Sequence, residues 1–155
     1  MRLQGCFLRR RILLNDGRNI RLAGGLSFAS EKLSTFLRDS RESVLMGATA
    51  GREILGAISE KTKKGDMTAA VVYDATASEM TDATLDWMRD YINSQLRREG
   101  TTMLTRRFSA GYADFALENQ KDIYEALQLG KIGVTITSGF ILRPEKSVTA
   151  ISGIA

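Results

Sequence analysis

Arg106-Arg107-Phe108-Ser109-Ala110-Gly111-Tyr112, continued by Ala113-Asp114-Phe115-Ala116-Leu117, is the stretch from which the rest of the chain can be read. A strand-like run ends in a pair of arginines, a short loop of small residues follows, and a tyrosine stands before an amphipathic segment. A guanidinium presents a planar fork of donors that fits a carboxylate, which an ammonium cannot match. Gly111 permits a positive φ or a close backbone approach, and Tyr112 offers an apolar face with a hydroxyl at its end. The segment therefore reads as pocket-forming. The spacing Arg-x-x-x-Gly-Tyr is nonetheless short, and a surface arginine, a turn glycine and a core tyrosine account for it as well.

Working backwards, residues 101–107 predict a strand, and Glu99-Gly100 predicts a helix stop with glycine in the left-handed conformation. The helix it ends is the longest, from a cap at Asp66 to about residue 98, with Met67, Ala70, Val71, Leu85, Met88, Ile92 and Leu96 on its apolar side. Further upstream, residues 7–14 read as a strand, Asn15-Asp16-Gly17 as a hairpin turn and residues 20–22 as the return. Gly24-Gly25 is a break, and Ser30 caps a short helix carrying Leu33, Phe36 and Leu37. Residues 43–47 form a buried strand, residues 52–61 a helix with Ile54, Leu55 and Ile58 inward, and Lys63-Lys64-Gly65 a turn.

Working forwards, residues 117–129 predict a helix anchored by Ile123, Tyr124 and Leu127. Residues 133–137 are β-branched strand, residues 143–146 a turn and residues 147–151 the last strand. Helices and strands mix without a βαβ rhythm. The expected class is α+β, a largely antiparallel mixed sheet with a long helix and several shorter helices packed against it. With 155 residues and no linker or repeat, residues 1–155 are expected to be a single domain.

Composition narrows the chemistry. There is no histidine, which excludes Ser-His-Asp and Cys-His catalysis, His-ligated zinc, and a histidine axial ligand to cobalt or haem. Metal or corrin chemistry would have to occur on another polypeptide. The single cysteine, Cys6, forms no internal disulfide and fits a reducing compartment. No window is apolar enough to span a bilayer, and Arg9-Arg10-Arg11 interrupt any signal-like run, so a cytoplasmic protein is expected. The net charge of +4 comes with clusters at Arg9–Arg11, Arg97-Arg98 and Arg106-Arg107. These are either solvated surface or a docking face for an acidic partner. No aromatic interleaving or recognised motif points to nucleic acid.

Two blocks carry a resemblance. The first runs Met103-Leu-Thr-Arg-Arg-Phe-Ser-Ala-Gly-Tyr-Ala-Asp-Phe-Ala-Leu-Glu-Asn-Gln-Lys-Asp-Ile-Tyr. The second runs Gly133-Val-Thr-Ile-Thr-Ser-Gly-Phe-Ile-Leu-Arg-Pro-Glu-Lys-Ser-Val-Thr-Ala-Ile-Ser-Gly-Ile. Together they resemble the activation domain of vitamin-B12-dependent methionine synthase, over roughly residues 44–154, and in particular its short stand-alone forms. Such domains bind S-adenosylmethionine so that oxidised cobalamin can be remethylated. The resemblance implies a non-catalytic reactivation module acting in trans on a cobalamin-bearing methionine synthase, with flavodoxin or another acidic reductase supplying the electron. It implies no catalytic residue and no metal site here. Arg107 and Tyr112 match the family's ligand arginine and the tyrosine that follows it, with Gly111 between them. Ser109 falls at an expected backbone contact to adenosine.

The long helix adds Asp74, Ser78, Asp82, Asp86 and Asp90 at every fourth position, a slowly drifting stripe. It is either a solvated face or part of the ligand cleft. By the resemblance, which places a glutamate on the corresponding helix, Asp82 is the expected acceptor for the ammonium or ribose. Ser152 stands where those enzymes place a ligand tyrosine, and a segment bearing an earlier acidic ligand has no counterpart. These departures support an alternative, an interaction or scaffold protein of the same fold that serves a corrinoid methyltransferase and no longer binds the cofactor.

Overall fold

In a computed structural model of residues 1–155, the Asn15-Asp16-Gly17 turn forms as predicted. The Asp16 carboxylate accepts from the backbone N–H of Arg18 at 2.9 Å and of Asn19 at 2.7 Å, and Gly17 takes φ +89°. That reverses the long strand β1 (Gln4–Asn15) onto β2 (Asn19–Leu22). A short strand the sequence did not announce, β3 (Ser27–Ala29), adds to β2. Ser30 then caps α1 (Glu31–Phe36), its hydroxyl accepting from Leu33 N–H.

Next come β4 (Glu42–Thr49), α2 (Glu53–Lys63), α3 (Met67–Leu96), α4 (Asn119–Leu127), the two-residue strands β5 (Thr135–Ile136) and β6 (Leu142–Arg143), and β7 (Ser147–Ile154). The main sheet is ordered β3-β2-β1-β4-β7, and every pairing is antiparallel. Strands β5 and β6 form a separate ribbon.

Because side chains alternate across a strand, the central strands feed two cores. On one face Leu45 and Ile151 join Leu33 and Leu37 with Phe28, Phe115, Ile123, Leu127 and Leu129. On the other, Val44, Met46, Ala48, Ala150 and Ile154 meet Leu85, Met88, Ile92 and Leu96 of α3, together with Met103. Thirty residues make α3 about 45 Å long, more than the sheet can cover. This corrects the apolar side read from sequence: Met67 and Val71 are 54% and 63% exposed. The first turns of α3 reach past the sheet and pack chiefly on α2, which has no buried residue of its own.

The stop at Gly100 is as expected, with φ +71°. The strand expected at residues 101–107 is absent, and this matters for the site. The segment touches the free edge of β7 at two isolated bridges, Met103 with Ile154 and Phe108 with Ile151. Four residues of the segment, 104–107, therefore lie opposite two of β7, 152–153, so two are in excess and the chain must arch away. Ser152 fills the gap beneath the arch, its hydroxyl donating to the Arg106 carbonyl at 2.8 Å. The helix expected over 117–129 starts at Asn119, ends at Leu127 and passes into a single 3-10 turn. The strand expected at 133–137 shrinks to β5.

Candidate functional site

The arch lifts Arg106 and Arg107 off the sheet, and the loop after it turns back at Gly111. Gly111 has φ +88°, a conformation that favours glycine, and a Cβ there would stand only 3.2 Å from Leu117 Cδ1. Its N–H donates to the Phe115 carbonyl at 2.7 Å. Ser109 is tied down by its hydroxyl, which donates to the Thr149 carbonyl at 2.9 Å. Ala113 also adopts a positive φ, +51°, a conformation that costs a non-glycine residue about 1 kcal/mol or more.

The next residue offsets that strain. Both Asp114 carboxylate oxygens lie on the start of α1, accepting from the Ser30 hydroxyl at 2.5 Å, from Glu31 N–H at 2.8 Å and, more weakly, from Lys32 N–H. The loop and α1 are thereby clamped face to face. Between them runs an open groove of about 490 Å³, lined by Lys32, Thr35 and Phe36 on one side and by Arg106, Arg107, Phe108, Tyr112 and Ala113 on the other. That is within the range of small-molecule sites. Its aromatic surface is continuous: Phe108 lies 5.6 Å from Phe36 and 5.4 Å, edge on, from Tyr112. Tyr112 is 65% exposed and so is no core residue.

Asp114 sets a pH dependence. The Ser30 hydroxyl first, then the two N–H groups, hold its carboxyl below the usual range. A carboxyl with a lowered folded pKa contributes stability above its unfolded value, near 4, and loses it as pH falls through the lower folded value. Asp114→Asn is therefore expected to lower the thermal midpoint at pH 7. The gap between wild type and variant should close as the pH drops below about 4, which a calorimetric pH series would show.

Arg107 does not point into open solvent. Its guanidinium donates to the Asp86 carboxylate of α3 at 2.5 Å, and its side chain is 22% exposed. Asp86 also lies 3.8 Å from Arg89, whose guanidinium donates to the Thr105 carbonyl. The same flank of α3 holds β7 through Lys146, which reaches Asp74 and Ser78 at 2.9 Å each.

Of the residues expected from sequence, Arg107 and Tyr112 line the groove, and Ser109 and Gly111 shape the loop between them. The acid that meets Arg107 is Asp86, one turn beyond Asp82; Asp82 is exposed and has no ion-pair partner. Ser152 is fully buried and offers no surface to a ligand; its hydroxyl holds the arch at the Arg106 carbonyl and, more weakly, at the Leu104 carbonyl. Arg106 and Ala113 lie in the segment read as pocket-forming, though neither was singled out; Lys32, Thr35 and Phe36 were not expected at the site, because nothing local in the sequence brings α1 opposite the loop. Among the arginine clusters, Arg9 is engaged internally by Glu42 and Glu99. A second groove, between the start of β1 and α3, is lined by Leu3, Met80 and Trp87 among others, and has no charged residue.

No family model matches the sequence, and no curated protein does. A solved structure does resemble it: the crystal structure of the MetH reactivation domain bound to AdoHcy, with TM-score 0.72 and 14% identity. The alignment covers 97% of this chain and 58% of that one, so the chain spans a little over half the length of its structural relative. The fold expected from sequence, α+β and activation-domain-like, is the fold observed.

Proposed function

We propose that the chain is an S-adenosylmethionine-binding reactivation module, one domain over residues 1–155, that serves a cobalamin-bearing methionine synthase in trans. The observation that carries this reading is Arg107, which lines an aromatic groove and pairs with Asp86 of α3. The amino-acid end of an adenosyl ligand is a zwitterion. Arg107 would hold its carboxylate and Asp86, in place of the Asp82 expected earlier, its ammonium. Two charges that pair with each other in the free protein would thus exchange partners, and no buried charge is left alone at any stage. Phe36, Phe108 and Tyr112 supply apolar faces for the nucleoside. The neighbour that shares the fold is bound to AdoHcy, which is consistent with this class of ligand.

The methyl donor would supply a sulfonium-bound methyl group to cobalt on the partner protein and leave as the thioether S-adenosylhomocysteine. This chain binds and orients the donor, so none of its residues need act as acid or base. An acidic reductase of the flavodoxin class would supply the electron, in the cytoplasm. No helix of the chain is long and apolar enough to cross a membrane.

Ligand that binds only the native state raises its thermal midpoint. S-adenosylmethionine and AdoHcy are each expected to raise it by several degrees at about a hundred times Kd. No shift with either ligand would favour the second reading, a scaffold of the same fold for a corrinoid methyltransferase. The observation behind that reading is Ser152, buried beneath the arch and contributing nothing to ligand contact.

A further inference from the structure

The groove holds more positive charge than an adenosyl zwitterion needs. Three cations line it, Lys32 from α1 and Arg106 and Arg107 from the arch. Only Arg107 has a partner acid. Lys32 and Arg106 make no ion pair and no side-chain hydrogen bond, although each could have found one on a protein with 18 acidic residues. Asp114, the acid on the facing loop, pairs with neither; its oxygens are turned to Ser30 and to the N–H groups of Glu31 and Lys32. Two unpartnered cations, on opposite walls of one groove and beside Phe36, Phe108 and Tyr112, are the complement of an oxyanion attached to something flat.

We propose that Lys32 and Arg106 form a second anion subsite of this groove, which takes a phosphate-class group next to a stacked base. The subsite shares the groove of the proposed nucleoside site and rests on that placement. It is distinct from the Arg107–Asp86 pair, which is electrically balanced in the free protein, whereas Lys32 and Arg106 are not. The phosphate could belong to a nucleotide in the groove itself or to a second molecule that docks over an adenosyl ligand already bound. Either source satisfies the same two cations.

The test is a titration of the full chain with adenosine 5′-monophosphate and with adenosine. The monophosphate is expected to bind about tenfold tighter, the gain of one charge-assisted contact of about 1.4 kcal/mol. The preference should fall towards unity in a Lys32→Gln, Arg106→Gln double variant, whose exposed substitutions leave the far-ultraviolet spectrum unchanged. A second arm saturates the groove with AdoHcy and adds inorganic phosphate. A midpoint rise in wild type that the double variant lacks would support the subsite and assign the phosphate to a second molecule.

Equal affinities for adenosine and its monophosphate, or no binding of either, together with no phosphate effect over AdoHcy, would overturn the inference; so would a preference that survives the double substitution. Binding of AdoHcy without any phosphate preference would sink the subsite alone. Binding of the monophosphate but not of AdoHcy would sink the methyl-donor reading and leave the subsite standing.

Discussion

Phe115→Ala is expected to lower the free energy of unfolding by about 3–5 kcal/mol, the usual range for emptying a fully enclosed aromatic site. Phe115 is completely buried. Its ring meets Phe28 edge on at 5.3 Å, and Phe108 lies 6.3 Å away, so it joins the β2–β3 corner to the arch. Its backbone also closes the loop: its carbonyl accepts from Gly111 N–H at 2.7 Å and its N–H donates to the Tyr112 carbonyl at 3.0 Å. Those bonds survive truncation only if the chain stays in place without the ring beneath it. In a chain of this size the loss corresponds to a midpoint drop of roughly 6–20 °C, at about 2–4 °C per kcal/mol. Urea unfolding would measure it, and a change below about 1 kcal/mol would show that the surrounding core collapses to fill the gap. Phe108 forms one side of the groove. A variant that still folds should therefore bind adenosyl ligands more weakly as well.

The parts of the fold legible in the sequence are those whose causes are local. Asn15-Asp16-Gly17 carries its own turn in its side chains, Ser30 and Asp66 carry their own caps, and Gly100 its own stop. Each depends on atoms within a few residues, and each forms as read. The α+β class follows from the mixture of elements and is equally secure. Failures occur where a distant element decides. Met67 and Val71 obey the 3.6-residue period, yet the sheet ends before it reaches them. Residues 101–107 have strand-like composition, but between its two bridges the edge of β7 offers two places for four residues. Periodicity reports which face a helix could bury and says nothing about how far its partner extends.

The site divides along the same line. Gly111 and Tyr112 offer a turn and an amphipathic ring within one short string, and the structure places both beside a groove, with the ring exposed and not in the core. The stripe on α3 was visible as a pattern, but only the height of the arch selects Asp86 over Asp82. A four-residue repeat on a 3.6-residue helix offers a candidate at every turn. Ser152 was read as a departure from a ligand position. Its burial gives it another use, as the donor that occupies the carbonyl freed where the arch leaves the ladder. The wall formed by α1 had no sequence signal, because it faces the loop through contacts distant in sequence, such as Asp114, 82 residues beyond Lys32, and the Phe36–Phe108 ring pair.

Arg107→Ala is expected to weaken binding of AdoHcy by about ten- to a hundredfold, the loss of a charge-assisted contact of about 1.5–3 kcal/mol. Arg107→Lys should fall between, since an ammonium cannot offer the fork. Unchanged affinity in calorimetry would mean that the guanidinium serves only Asp86. The partner exchange makes a sharper demand on Asp86 itself. In the free protein Asp86 occupies the group that the ligand carboxylate must take. Asp86→Ala removes that competitor, and with it the acceptor for the ligand ammonium. AdoHcy should therefore lose affinity, while an analogue lacking the amino group should bind as well as before or better. The ratio of the two affinities isolates the ammonium contact, because any general damage to the groove divides out. If both ligands weaken equally, Asp86 merely props up Arg107, and the ammonium must be held elsewhere, with Asp82 the next acid along the helix.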